Sequence, residues 1–434
     1  MVLLMVPALT SCGVTWSQEY RDGAEALKNG DFKAAEAKLK AAADAAAVAG
    51  NAQGKAIALL GLARTHMEEG EFTQARPFFQ QVVKMLEQSR GHNSAVVADA
   101  MIELGACLYQ QQEFAQSEPI CREALAIELR LPKDKQRKAT IGMAYNNLGQ
   151  IAKGRDDDAL AEQMFRKAIE VYRSDPSTLG KVALIQTYCN LSALYNHQER
   201  YEEARLVAAQ ALEIQKSISP PDDLSLVAIL NAVASIDRAE LNNEVAAQEY
   251  NEAILILGKH GKDGTAFEKA LCDTKDSLAD LEFGQRDVDN AERTYLESIE
   301  HCVHARGGDH PCVAERMVDL AELYSDTQRY PQAETLLKRA LAIYSASIDP
   351  ESPVVINTIN ELSSVYVEEK KYGDANALYE EWLPRLRREL GDNHPRVADA
   401  LDNWALVADR SNSSQQAREL RARAKGIRLA LTKQ

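Results

Sequence analysis

Between Val318 and Tyr344 the apolar positions follow a helical period rather than an alternating one. Leu320, Ala321 and Tyr324 fall at i, i+1 and i+4, and Ala333, Leu337 and Ala340 at i, i+4 and i+7. Each segment therefore carries one apolar stripe, and the stretch predicts two amphipathic helices joined at Tyr330 by a short turn. The alanines are small where two helices must approach closely, and Leu337 and Tyr324 fill the space that remains. Neither helix has enough apolar surface to fold alone.

The phrase recurs along the whole chain. With Ala333 as the mark, equivalent positions fall at Ala35, Ala75, Ser117, Ala161, Ala204, Ala246, Ala291, Ala375 and Ala417, in steps of 40, 42, 44, 43, 42, 45, 42, 42 and 42 residues. Ten units at so regular a step predict an all-α solenoid, in which each hairpin buries its apolar stripes against its neighbours. The alanine-rich first unit has the polar character of a cap. The tenth, with Arg421 where an aromatic residue or leucine belongs, closes the other end. Asp158 stands where Tyr330 stands in the reference unit. Asp237 and Glu282 replace large apolar residues in the sixth and seventh units.

The residues at these offsets resemble the tetratricopeptide-repeat signature of Leu-Gly, Tyr, Ala, Phe and Ala. It is visible in LGACLYQQQEF (104–114), NLGQIA (147–152) and LSALYNHQERYEEA (191–204). The longer step, with GGDHPCVAE (307–315) and GDNHPRVAD (391–399) between hairpins, resembles the kinesin-light-chain type of the repeat. The resemblance covers residues 18–430 and implies a right-handed superhelix. It also implies a concave surface lined by the first helix of each hairpin, where ligands of the family bind. Function is not implied by fold alone.

The first twelve residues, MVLLMVPALTSC, differ in kind. An apolar run ends in Leu9-Thr10-Ser11-Cys12, which resembles the bacterial lipobox, so residues 1–12 are expected to be a signal segment with Cys12 as the lipidated residue. The run is short and no Lys or Arg precedes it, which departs from that pattern. Acylation would hold the chain at a membrane surface, facing periplasm or cell exterior. The alternative is an apolar stub packed on the first helix of a cytoplasmic protein. Residues 431–434 form a short tail.

A formal net charge of −15 argues against general nucleic-acid binding, which needs clustered cations against phosphate. The balance is uneven: residues 385–434 hold eleven Lys and Arg against six Asp and Glu, which leaves −20 for the rest. The basic end reads as a solvated closing helix or as a contact for anionic lipid or an acidic partner. No nucleophile elbow, HExxH or P-loop is present; GKHGKDGT (258–265) lacks the Gly-Lys-Ser/Thr ending. The chain is therefore read as a non-enzymatic scaffold with no cofactor, the alternatives being a cytoplasmic regulatory or adaptor protein and an accessory subunit of an enzyme complex.

Asp156-Asp157-Asp158 reads as a solvated turn rather than a metal site. His301, Cys302, His304, His310 and Cys312 crowd one link with soft-metal spacing. However, His310-Pro311 recurs as His394-Pro395 two periods on, which assigns it to the repeat's own turn. Six cysteines besides Cys12 read as buried thiols or as an even set able to pair.

Two features mark the first helices. Asparagine is unfavourable in mid-helix, yet Asn147, Asn190 and Asn403 share one offset, and Asn146, Asn231 and Asn360 the preceding one. The family resemblance implies that such amides bond the backbone of an extended peptide. Bonding between neighbouring helices of the stack is the alternative. Asp273, Asp276 and Asp280, then Glu315, Glu322 and Asp326, each share one helix side. If that side is concave, the strip favours a Lys- or Arg-bearing partner; an ordinary solvated face is the other reading.

Overall fold

The computed structural model describes residues 14–218, 222–260, 265–347 and 353–431, so Cys12 and the expected signal segment lie outside the described residues. These residues form twenty α-helices and no strand, in ten successive helix–turn–helix segments. In chain order they are α1 (Val14–Lys28) and α2 (Phe32–Val48), α3 (Ala52–Glu68) and α4 (Phe72–Arg90), α5 (Ala95–Gln110) and α6 (Phe114–Arg130), α7 (Lys138–Gly154) and α8 (Asp158–Arg173), and α9 (Thr178–His197) and α10 (Tyr201–Gln215). There follow α11 (Asp223–Ala239) and α12 (Asn243–Gly258), α13 (Thr265–Gly284) and α14 (Val288–Arg306), α15 (Pro311–Asp326) and α16 (Tyr330–Ser347), α17 (Pro353–Glu368) and α18 (Tyr372–Leu390), and α19 (Pro395–Arg410) and α20 (Ser414–Leu431). The repeat register runs unbroken, but the array expected over residues 18–430 divides into two compact units, one ending at Leu281 and one beginning at Glu282.

Every mark is the fourth residue of its second helix, and all ten are fully buried. The residue one turn on is buried in nine units and is large in seven of them, from Leu39 through Phe79, Phe165, Tyr250, Tyr295 and Leu337 to Tyr379, with Cys121 and Ala208 in the other two. The first helices answer with small residues sixteen positions before that one. A Cβ added to Gly149 would lie 2.6 Å from the Phe165 ring, and one added to Gly105 would lie 2.4 Å from Cys121 Sγ. Backbones therefore come close, and the aromatic or leucine side chain fills what they leave. Ser117, the one polar mark, donates its hydroxyl to the Gly105 carbonyl at 2.7 Å, so no buried polar atom is stranded there. Arg421, the exception at the large position, is half-exposed and paired with Asp409, as a terminal helix allows.

The turns are built from backbone. The residue before each second-helix N-cap has positive φ, glycine at 30 and 70 but Gln112, Asp156, Glu199, Leu241, Arg286, Gln328, Lys370 and Asn412 elsewhere. Each N-cap N–H then reaches back five residues to a first-helix carbonyl, for example Arg200 to Tyr195 (2.8 Å) and Arg329 to Tyr324 (2.7 Å). This is the paired closure that satisfies a helix's last carbonyls. The aspartate run at 156–158 is such a turn, with Asp157 capping α8 by accepting from the Leu160 N–H. His310 and His394 cap α15 and α19 in the same way, each Nδ1 accepting a backbone N–H two residues on. Proline follows each at the first helical position, where its missing N–H costs nothing.

Between units, a polar residue just after the mark ties one second helix to the next hairpin. Glu162 accepts from Tyr195 Oη (2.9 Å) and Arg200 (2.8 Å), and the Arg200 guanidinium lies 4.1 Å over the Tyr195 ring. Glu292, Tyr324 and Arg329 repeat the arrangement at 2.9, 2.6 and 2.7 Å, with Arg329 stacked at 4.2 Å. At the next step Lys371 Nζ sits 2.7 Å from Glu334 and 2.9 Å from Glu369. One junction inverts the polarity: Arg205 follows the mark, and the buried Asp237 replaces the tyrosine and pairs with it at 2.7 Å. The carboxylate that replaces a large apolar residue in the sixth unit is thus neutralised by its neighbour.

Among the described residues all six cysteines are free, five of them buried. Burial pushes the thiols of Cys107, Cys121 and Cys189 up to about 12, so they remain protonated and inert.

Substituting Ala333 by leucine, which overfills the closest helix approach in its hairpin, is expected to cost about 1–3 kcal/mol in chemical denaturation. An unchanged midpoint would refute the packing register.

Candidate peptide-binding face

Within each unit, consecutive first helices lie against one another: α1 and α3, α5 and α7, α7 and α9, and α9 and α11 in the first, α15, α17 and α19 in the second. No consecutive pair of second helices packs to that extent among the described residues. Hairpins held closer along one edge make each stack curve with its first helices inside. The surface they present is where the sequence places its candidates.

All six asparagines are half-buried on first helices. They bond partly to the stack itself. Asn190 donates to Asn146 Oδ1 across α7 and α9 at 3.0 Å, and Asn231 donates to Thr274 across α11 and α13 at 2.8 Å. Asn147 reaches the Ile102 carbonyl of α5 at 3.5 Å, and Asn360 accepts from Tyr379 Oη at 3.0 Å. Asn403 is half-buried beside Trp404. Bonding within the stack, the alternative reading, is thus present at five of the six asparagines. A side-chain amide has two donors and two acceptor sites, more than these bonds use; the Oδ1 of Asn231 is buried with no partner.

The offset shared by Asn147, Asn190 and Asn403 is occupied in other units by Glu103, Asp319 and Glu361, none of which the sequence reading singled out. A full alignment of the ten units on their marks would have found them, because in these six units the column is polar and the residue after it is apolar, leucine in five and Trp404 in the sixth. Glu103 is held across helices by Arg64 Nε at 2.8 Å. Glu361 is different: its Oε2 is buried without a partner. Burial, with Glu322 adding like charge, pushes its carboxyl up to about 7. Glu315, Glu322 and Asp326 are exposed on α15. Together with Asp319 and Glu361 they give the first-helix face of the second unit an acidic character.

The other trio belongs to the first unit, with Asp273 and Asp280 exposed and Asp276 half-buried. Asp280 stands 3.7 Å from Arg238. The two trios are accordingly separate features of separate units. The basic end is largely self-paired, Arg428 bonding Asp399 and Asp402 and Arg421 bonding Asp409, which fits a closing helix. On the outer side of the first unit, a cleft of about 530 Å³ between α8 and α10 has Arg166 and Arg173 bonded to Tyr195 and Tyr188.

Sequence profiles described as tetratricopeptide repeat match residues 20–90, 60–128, 96–174, 184–224, 271–346 and 355–396, well over half the chain together. The chain belongs to the tetratricopeptide-repeat family. Arrays of this family mediate protein–protein interaction. Mouse (Mus musculus) nephrocystin-3 is 30% identical over 105 residues, which is 24% of this chain and 8% of that protein. Protein kinesin light chain-related 3 of Arabidopsis thaliana is 27% identical over 155 residues, 35% of this chain and 23% of that protein. The chain therefore spans a small part of the length of these relatives. Among solved structures, BtubC (BKLC) from P. vanneervenii superposes with a TM-score of 0.40 at 20% identity, covering 64% of this chain and 92% of that one. No helix among the described residues is long and apolar enough to cross a membrane.

The raised Glu361 carboxyl gives a pH-dependent expectation. Unfolded, the group ionises near 4.5; folded, it keeps its proton to about 7, so stability falls as pH rises between those values and the full penalty applies above 7. Glu361→Gln should therefore stabilise the tetratricopeptide array by about 1–2 kcal/mol at pH 8, after allowance for its partial exposure, and by almost nothing at pH 4.5. Urea melts at the two pH values check the difference.

Proposed function

We propose that this tetratricopeptide array is a non-catalytic scaffold that captures an extended, basic segment of a partner protein along its first-helix face. The observation that carries the reading is a first-helix offset that is polar within each compact unit, at Glu103, Asn147 and Asn190 in the first and at Asp319, Glu361 and Asn403 in the second. Polar side chains recurring at one offset along a stack offer donors and acceptors to a ligand laid across it. An extended main chain needs such partners for its unpaired N–H and C=O groups. The carboxylates on α15 and α17 supply the complement for Lys or Arg side chains. Charge of that kind chiefly selects the partner and speeds encounter.

The second element of the proposal is location. The Leu9-Thr10-Ser11-Cys12 sequence supports lipidation at Cys12 and anchoring of the scaffold at a membrane surface, facing periplasm or cell exterior. The rival reading, a cytoplasmic adaptor with an unmodified N-terminus, differs in one measurable respect. Wild-type chain should fractionate with membranes and Cys12→Ala should not; equal solubility of both would remove the anchor.

Partner capture is tested by cross-linking and pull-down from native membranes with Asn147→Leu/Asn190→Leu and Glu322→Gln/Glu361→Gln double variants. Arg122→Ala, on the exposed side of α6, is the control. Recovery of a discrete partner should fall about tenfold in both ladder variants, the worth of roughly 1.4 kcal/mol, with helicity unchanged. Retention of the partner in both would overturn the reading.

A further inference from the structure

The inter-unit ties share a common composition. At three junctions a cation from the second-helix N-cap position, Arg200, Arg329 or Lys371, lies against the carboxylate that follows the preceding mark, Glu162, Glu292 or Glu334. A tyrosine stands beside it. The junction between the first and second hairpins keeps the carboxylate, as Glu36, but the tyrosine position holds His66 and the cation position holds Glu71. Glu69 occupies the place that Glu369 has beside Lys371. Three carboxylates and an imidazole thus gather where the other junctions hold an ammonium or a guanidinium.

The donor atoms are already close. His66 is buried, and its Nδ1 lies 2.7 Å from Glu71 Oε2 and 3.7 Å from Glu69 Oε2. One ligand atom from each of the three residues falls within 4.8 Å of the others. Tetrahedral bonds of about 2.0–2.1 Å to nitrogen and oxygen put neighbouring ligand atoms about 3.3 Å apart, between the two spacings seen from Nδ1. Rotation of the two flexible glutamate side chains is what closing the set around an ion requires. The ring is clamped by parallel stacking on Phe78, centroids 5.6 Å apart. The Glu71 N–H bonds the His66 carbonyl at 2.8 Å, so backbone fixes the two residues together. His66 stands in the last turn of α3 and Glu69 is its C-cap, the end of a helix that favours positive charge, while Glu71 is the N-cap of α4.

We propose that His66 Nδ1 and the carboxylates of Glu69 and Glu71 bind a divalent ion of the zinc type, which takes the place of the missing side-chain cation and ties the first hairpin to the second. One imidazole with two carboxylates suits a borderline divalent metal better than the all-oxygen set that calcium or magnesium prefers. The charge fits as well. Glu334, Glu369 and Lys371 sum to −1, and Glu36, Glu69 and Glu71 with a divalent ion sum to the same.

The test is titration of Zn²⁺ into the chelator-treated full chain, followed by calorimetry and thermal melting, with Co²⁺ as the spectroscopic probe. One ion should bind per chain, releasing a proton from the His66–Glu71 hydrogen bond, with a Tm that climbs with free metal. Glu69→Gln and Glu71→Gln should each weaken binding about 100-fold or more, while Glu334→Gln leaves it unchanged. Because His66 is buried and its variants are at risk of misfolding, Glu71→Arg is the second arm. It restores the side-chain cation of the other junctions and should give a folded chain whose Tm no longer responds to zinc. Absence of a zinc response in the wild type, or a response that survives in Glu71→Arg, would overturn the proposal.

Discussion

The structure depends on how closely two helix backbones can approach inside each hairpin. The second helix offers a residue no larger than serine at its fourth position, and the first helix offers glycine, alanine or serine in return, as Gly105, Gly149, Ser192 and Ala321 show. That approach leaves a gap of one side chain, which Leu39, Phe79, Phe165 or Tyr379 fills. The large residue is free to vary in shape, because aromatic and aliphatic groups of similar volume pack equally well when the small contacts on either side are kept. The small contacts are not free, since any added atom has nowhere to go. A repeat with little literal identity from unit to unit can therefore keep a single geometry throughout.

The polar chemistry is arranged around this constraint and does not compete with it. At three junctions the charged residues form complete sets: Glu162 with Tyr195 and Arg200, Glu292 with Tyr324 and Arg329, Arg205 with Asp237 and Glu240. Such sets add specificity to the order of units, because a hairpin bearing Asp237 has its complement in a neighbour bearing Arg205. On the first helices the polar column follows the same logic with incomplete sets, leaving hydrogen-bonding capacity for something outside the stack.

Much of this was legible in the chain. The marks, the two helices around each, the histidine caps before Pro311 and Pro395 and the cap role of Arg421 all follow from short-range periodicity and turn chemistry, which residues express locally. The column containing Glu103, Asp319 and Glu361 was hidden because acidic residues on helices are common, and only a comparison across units separates them from a solvated face. The Asn190–Asn146 bond and the Arg205–Asp237 pair were hidden for another reason: each joins residues more than thirty positions apart, and their meeting depends on the stack having formed. The His66–Glu69–Glu71 group sits within one turn, yet it is informative only beside Tyr366, Glu369 and Lys371, its counterparts seven periods later.

The hairpin closure is made by main-chain atoms, with seven different side-chain types besides glycine tolerated at its left-handed position. The distance along the chain from that position to the following mark never changes, whereas the spacing of marks ranges from 40 to 45 residues. Drift in length is thus confined to the connectors between units, so insertions and deletions can accumulate there without shifting the internal phase of any unit. The array behaves as a ruler whose graduations are rigid and whose gaps are elastic, and duplication or loss of a whole graduation is the natural way for such a chain to change its reach.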